Sequence, residues 1–196
     1  MDSQRARFDP ATCSVAAALR VVGDKWTMLV IREAFYGQRR YDQILEVLGC
    51  ARNILSDRLA NLVEHGVLRR TPYRDGGQRE RFEYRLTPMG LELFPVVIAL
   101  MQWGDRWVAE AAQPSVLLEH RGCDGLVRAE LRCAAGHGPL TAHDTAARPG
   151  PRRAKGGRSA RGGAPLVAEL GLPTHRVGPG PSPSSPRSGR RRPGRS

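Results

Sequence analysis

Arg39-Arg40-Tyr41-Asp42-Gln43-Ile44-Leu45-Glu46-Val47-Leu48-Gly49-Cys50-Ala51-Arg52-Asn53-Ile54-Leu55-Ser56-Asp57-Arg58-Leu59 is the part of the chain that decides the fold. Ile44, Leu45 and Leu48 recur at helical spacing and predict a short amphipathic helix over Tyr41–Leu48, broken by Gly49. A second helix is predicted over Arg52–His65, where Leu55, Leu59 and Leu62 step by four and three along one face. Gly66 suits the position just past its end. Beyond it the period drops to two. Val67–Tyr73 and Arg81–Leu86 are extended candidates, and Phe82, Tyr84 and Leu86 alternate with charged residues. Asp75-Gly76-Gly77 supplies the turn between them. Leu86-Thr87-Pro88-Met89-Gly90 then starts another helix, with Thr87 as N-cap and Pro88 at its first position.

Helix, turn, helix and basic hairpin, in that order, describe a winged helix-turn-helix, mainly α with a small antiparallel β-hairpin. Upstream, Cys13–Val22 and Trp26–Phe35 read as two helices punctuated by Gly23-Asp24. Downstream, Pro88 to about Ala112 carries Leu91, Phe94, Val97, Ile98, Met101 and Trp103, with Pro95 bending or restarting the helix. Val116–His120 and Leu126–Leu131 are candidate short strands. The organisation predicted is an N-terminal arm (1–12), the winged domain (13–112), a small, poorly defined Cys/His-containing appendage (113–147) and a tail (148–196). The tail is rich in Arg, Pro, Gly and Ser and nearly devoid of large apolar side chains, so disorder is expected there.

The formal net charge of +12 is unevenly spread. Residues 1–147 hold 19 Lys+Arg against 18 Asp+Glu, and residues 148–196 hold 12 against one, so +1 and +11 make up the total. Any DNA reading of the domain must therefore rest on where its own arginines sit. The longest apolar runs fall short of the ~20 residues of a membrane span, and the N-terminus lacks a signal-peptide core. Four dispersed cysteines do not form a disulfide framework. A cytoplasmic bacterial protein with reduced thiols is expected, with no membrane partner.

If the leucines of the second motif helix face the core, Arg52, Asn53 and Ser56 project together on the other side. Arg pairs bidentately with guanine and Asn with adenine, so these are the base-reading candidates for double-stranded DNA. Arg39, Arg40, Arg58, Arg74 and Arg79 are the candidates for phosphate contacts from the helices and the wing. Leu100, Trp103 and Trp107 form a stripe suited to a homodimer interface. The five histidines make no HExxH pattern, and glycine-loop and nucleophile-elbow motifs are missing, so no enzyme is expected.

Residues from about Cys13 to Val108 resemble the HxlR family of bacterial winged-helix transcription regulators. The resemblance is carried by Gly23-Asp24-Lys25-Trp26, Gly37–Ile44, Arg52–Leu59, Glu83–Gly90 and Trp103-Gly104-Asp105. It implies a homodimer joined by its N- and C-terminal helices on a palindromic operator, most often as a repressor. At the wing, where prolines are common in the family, this chain has Gly76-Gly77-Gln78-Arg79-Glu80-Arg81. Cys13 matches a family position that in some relatives senses oxidants; packing at a dimer seam is the alternative. His120, Cys123, Cys133 and His137 resemble an impaired zinc-ligand pattern, with Gly136 where a cysteine would fall. No cofactor is required by this reading, and a metal-free appendage is the alternative to zinc. The effector, a small molecule or an oxidant, is left open. The competing function is nonspecific architectural or RNA binding through the basic tail, which is equally readable as a reading-frame artefact.

Overall fold

Cys13 and Asp24 open the first two helices in the same way, each offering a side-chain acceptor to otherwise unpaired backbone N–H groups. In the computed structural model of the chain, which describes residues 13–74, 80–110, 113–114 and 116–148, α1 spans Ser14–Val22 and α2 Lys25–Phe35. Cys13 Sγ accepts from Ala16 N at 3.5 Å. Asp24 Oδ1 accepts from Trp26 N and Thr27 N at 3.0 and 3.1 Å, a strong N-cap. Next come α3 (Tyr41–Leu48) and α4 (Arg52–Glu64), then β1 (Leu68–Tyr73) and β2 (Arg81–Leu86). Between the helices of the motif Gly49 takes φ 61°, a left-handed conformation natural to glycine.

β1 and β2 pair antiparallel from Leu68↔Leu86 to Tyr73↔Arg81. The chain entering α3 adds a third strand position on the far edge of β2. Tyr84 N donates to Arg39 O at 2.7 Å, and Arg40 bridges to Glu83. The core forms where helices and hairpin meet. Val30, Ile31, Ile44, Leu55, Leu62 and Leu68 are buried there with at most 2% exposure, each burial contributing about 1.5–3 kcal/mol.

The helix predicted from Pro88 to about Ala112 is two helices, and it ends earlier. α5 covers Pro88–Leu91 and α6 covers Phe94–Trp107, with Pro95 in the first turn of α6. There its missing N–H costs nothing, so Pro95 restarts the helix rather than bending it. Thr87 caps α5 by accepting from Gly90 N at 3.1 Å. Gly90 is buried against the start of β1, where a Cβ would lie 2.2 Å from Val67 O. α6 packs on α2 through Phe94 and Phe35, whose ring centroids are 5.1 Å apart.

The two short strands predicted after Pro114 reduce to one isolated bridge, Glu119↔Leu126. The turn at residues 120–125 is closed by His120 N to Gly125 O (2.9 Å) and Val127 N to Leu118 O (2.8 Å). Leu117, Leu126 and Leu131 stay exposed, so these residues lack the buried face that would extend the pairing into strands. The segment is instead held to α6. Gln102 donates to Val127 O at 2.8 Å and accepts from Ala129 N at 3.0 Å. Asp144 accepts from Thr141 N and Oγ1 at the foot of a short 3-10 turn, which holds its carboxyl below the ordinary value.

Contacts divide the described residues into two units, 13–131 with 139–148, and 132–138. In the second unit, Cys133–Gly138 includes a tight turn in which Gly136 N donates to Cys133 O at 2.9 Å. The predicted tail, 148–196, lies outside the described residues apart from Arg148, as does the arm at 1–12.

Candidate nucleic-acid interface

α4 presents its candidate base-reading residues on one side because its leucines fill the side that faces the core. Leu55, Leu59 and Leu62 are buried at 0–1% exposure. Arg52, Asn53 and Ser56 are exposed, so the three share an accessible side of the helix. Arg58 is half-buried and turned inward. Its Nε, shielded from solvent, lies 3.2 Å from Asp24 Oδ1. The carboxylate that caps α2 therefore also tethers α4.

Tyr41 is a residue that sequence reasoning did not single out. Its hydroxyl donates to Arg52 O at 2.8 Å and accepts from Ser56 Oγ at 3.3 Å. The first residue of α3 thus locks the N-terminal turn of α4, beside two of the base-reading candidates. A half-buried aromatic residue at the first position of a helix gives no periodic signal, so only the fold makes this role visible. Asp24 was more legible, since Gly23-Asp24 already marked the helix boundary.

Around the hairpin the arginines are anchored to different extents. Arg40 lies over the Tyr73 ring at 4.4 Å, and its N–H donates to Gln43 Oε1 at 3.1 Å. Arg70 lies over Phe82 at 4.0 Å. Arg81 pairs with Asp42 at 3.8 Å, which ties the outer hairpin to α3. Arg74 is 71% exposed in its side chain and 3.7 Å from Glu80, so it is accessible at the edge of the wing. Arg39 is exposed. Arg79, the other wing candidate, lies outside the described residues.

The remaining candidates fall elsewhere. Leu100, Trp103 and Trp107 are 52, 57 and 70% exposed, on the side of α6 opposite buried Val97 and Ile98. Val15 and Leu19 of α1 are also exposed. Cys13 is an exposed free thiol at the N-cap of α1. His120 Nδ1 is 3.3 Å from Cys123 Sγ. Separately, Cys133 Sγ is 3.4 Å from His137 Nδ1. Each pair offers a metal two donors, short of the four that tetrahedral zinc takes. Among the described residues no group of three or more His, Cys, Asp or Glu side chains is placed to hold a metal. No helix among them is long and apolar enough to cross a membrane.

Residues 21–112 match the family model for HxlR-like helix-turn-helix proteins. The chain is 42% identical over 138 residues to Rv3095 of Mycobacterium tuberculosis, an uncharacterized HTH-type transcriptional regulator, covering 70% of this chain and 86% of that one. It is 37% identical over 111 residues to the Synechocystis regulator sll1512, covering 56% and 81%. Among solved structures, PA1607, a candidate transcription factor, superposes with a TM-score of 0.63 at 41% identity, over 71% of this chain and 96% of that one. The winged-helix core, the arrangement of α4 and these likenesses lead to one assignment: the chain belongs to the HxlR-like helix-turn-helix family of transcriptional regulators and is not an enzyme.

Proposed function

We propose that the protein is a cytoplasmic, homodimeric repressor that reads a palindromic operator through α4. The observation that carries this reading is the sidedness of α4: leucines sealed in the core, Arg52 and Asn53 free to reach base edges. Both side chains have the bidentate chemistry that distinguishes guanine and adenine in the major groove. Ser56 and Tyr41 hold the helix start, while Arg39, Arg40, Arg74 and Arg79 meet phosphates and fix the register. Arg58 contributes indirectly, by holding α4 to α2.

Dimerisation follows from the exposed stripe Leu100, Trp103 and Trp107, and Val15 and Leu19 of α1 are further exposed apolar side chains that the same assembly would cover. A twofold axis then sets the two α4 helices about 34 Å apart, one turn of DNA. Repression is promoter occlusion, and induction is any event that favours a dimer with the wrong helix spacing. Cys13 is a candidate for such an event: an exposed free thiol at the N-cap of α1, open to an oxidant from solvent.

The test is binding of the full chain to the DNA upstream of its own gene, with Arg52→Ala and Asn53→Ala alongside. Each substitution is expected to cost about 1–3 kcal/mol and to relax specificity at one base position per half-site. Binding that is weak, unselective and untouched by both substitutions would refute the operator reading.

A further inference from the structure

Arg69 of β1 stands directly opposite Arg85 of β2. Residues so paired in an antiparallel ladder project from the same face, where two like charges oppose each other. Arg39 joins them, lining the same cleft. Of these three guanidinium groups, Arg85 has a carboxylate partner, Glu83, which accepts from its Nε at 2.5 Å. Among the described residues no carboxylate pairs with Arg39 or Arg69.

The cleft is open to solvent and about 280 Å³ in volume, and apolar side chains line it beside the arginines: Phe35 at the end of α2, Leu86 and Leu91. Apolar side chains beside a few convergent donors are what small-molecule sites are built from, and the volume falls just under their usual ~300 Å³ lower bound, which suits a ligand of single-ring size. A phosphate of DNA would engage the arginines and leave the apolar wall unused. A carboxylate carried on a flat hydrocarbon body uses both: two oxygens for the guanidinium forks, and a ring for Phe35 and Leu91.

We infer that the cleft between the end of α2, α5 and the base of the hairpin, lined by Arg39, Arg69 and Arg85, is a binding site for a small aromatic carboxylate. Binding itself does not depend on the operator reading. Its consequence does: Arg39 is also a candidate phosphate contact, so a carboxylate that engages it competes with DNA, and each ligand weakens the other by the same factor.

The test uses benzoate with the full chain, followed by ligand-observed NMR and calorimetry without DNA, in low-chloride buffer. Benzamide, of the same shape but neutral, and inorganic phosphate, an anion without a ring, serve as comparisons. Saturable benzoate binding is expected, at least about tenfold tighter than benzamide or phosphate and at least about tenfold weaker in Arg69→Gln. Arg69 is exposed, so that variant should retain the wild-type melt; Arg39→Gln provides a second variant outside the ladder pairing. Equal affinity for phosphate and benzoate would reduce the cleft to a plain anion patch and overturn the inference. So would benzoate binding unchanged in both variants. No benzoate binding, with a lowered salt slope of DNA binding in Arg69→Gln, would reassign the arginines to phosphate and overturn it as well. Benzoate binding without any effect on DNA affinity would sustain the site and count only against Arg39 as a phosphate contact, whereas the operator reading stands or falls with Arg52→Ala and Asn53→Ala.

Discussion

Asp24 performs two tasks with one oxygen, and its substitution separates them. Oδ1 caps α2 through Trp26 N and Thr27 N and faces the shielded Nε of Arg58 on α4. Asp24→Ala removes a cap and a counter-charge together. The ion pair is partly exposed, 35 and 42% in its side chains, so it contributes the smaller share. The combined loss is expected to be about 1–3 kcal/mol by chemical denaturation, mostly from the cap. Asp24→Asn keeps a capping oxygen and should recover most of it. If Asn were as damaging as Ala, the ion pair to α4 would be the dominant interaction and the cap secondary.

At the scale of elements, Gly90 and Gly104 make a matched contrast. A Cβ on Gly90 would lie 2.2 Å from Val67 O and 3.0 Å from Leu86 Cδ2, whereas one on Gly104 meets nothing within 4 Å. Gly90→Ala must push α5 off the hairpin and is expected to cost about 1–3 kcal/mol or more. Gly104→Ala lies inside α6 and should be neutral, or stabilise the monomer by up to about 1 kcal/mol. Thermal melts of the two variants in one buffer check the sign of each. The same elements separate what was legible in the sequence from what was not. Helix periods, the Thr87-Pro88 start and the apolar face of α4 are local patterns, and residues 41–48, 52–64 and 81–86 form the predicted elements. The break before Phe94 was legible only as an ambiguity at Pro95, since proline both kinks helices and begins them. The edge pairing of Arg39 and Arg40 with β2 has no sequence period at all; it exists because α3 delivers that segment to the hairpin. Tyr41 on Arg52 and Arg58 on Asp24 are likewise tertiary. The appendage misled by composition: its leucines suggested strands, but without a buried face one bridge forms and the rest is held through Gln102.

For the whole molecule, the apolar stripe on α6 and the charge of the tail lead to separable expectations. Trp103→Glu and Trp107→Glu replace side chains that are 57 and 70% exposed, so each variant should keep the wild-type circular dichroism. By light scattering the mass should fall from two chains to one; a wild type that is already a single chain would remove the dimer from the mechanism. Tail removal acts on a different quantity. The domain is nearly neutral, while residues 148–196 add eleven net positive charges. Charge of that kind acts on any duplex, because its free energy comes from counterions released at the phosphates, roughly 0.9 of a logarithmic slope unit per contact. Specificity, by contrast, is proposed to come from α4 and its base contacts. Truncation after Ala147 should therefore weaken binding to operator and random DNA by similar factors and make both salt dependences shallower. The ratio between the two affinities should stay unchanged. Mobility shifts at several salt concentrations measure all three. A ratio that collapsed with the tail would mean that the arginines after residue 147 select the site, leaving α4 as a scaffold. A constant ratio with a reduced slope would assign encounter to the tail and recognition to the winged domain.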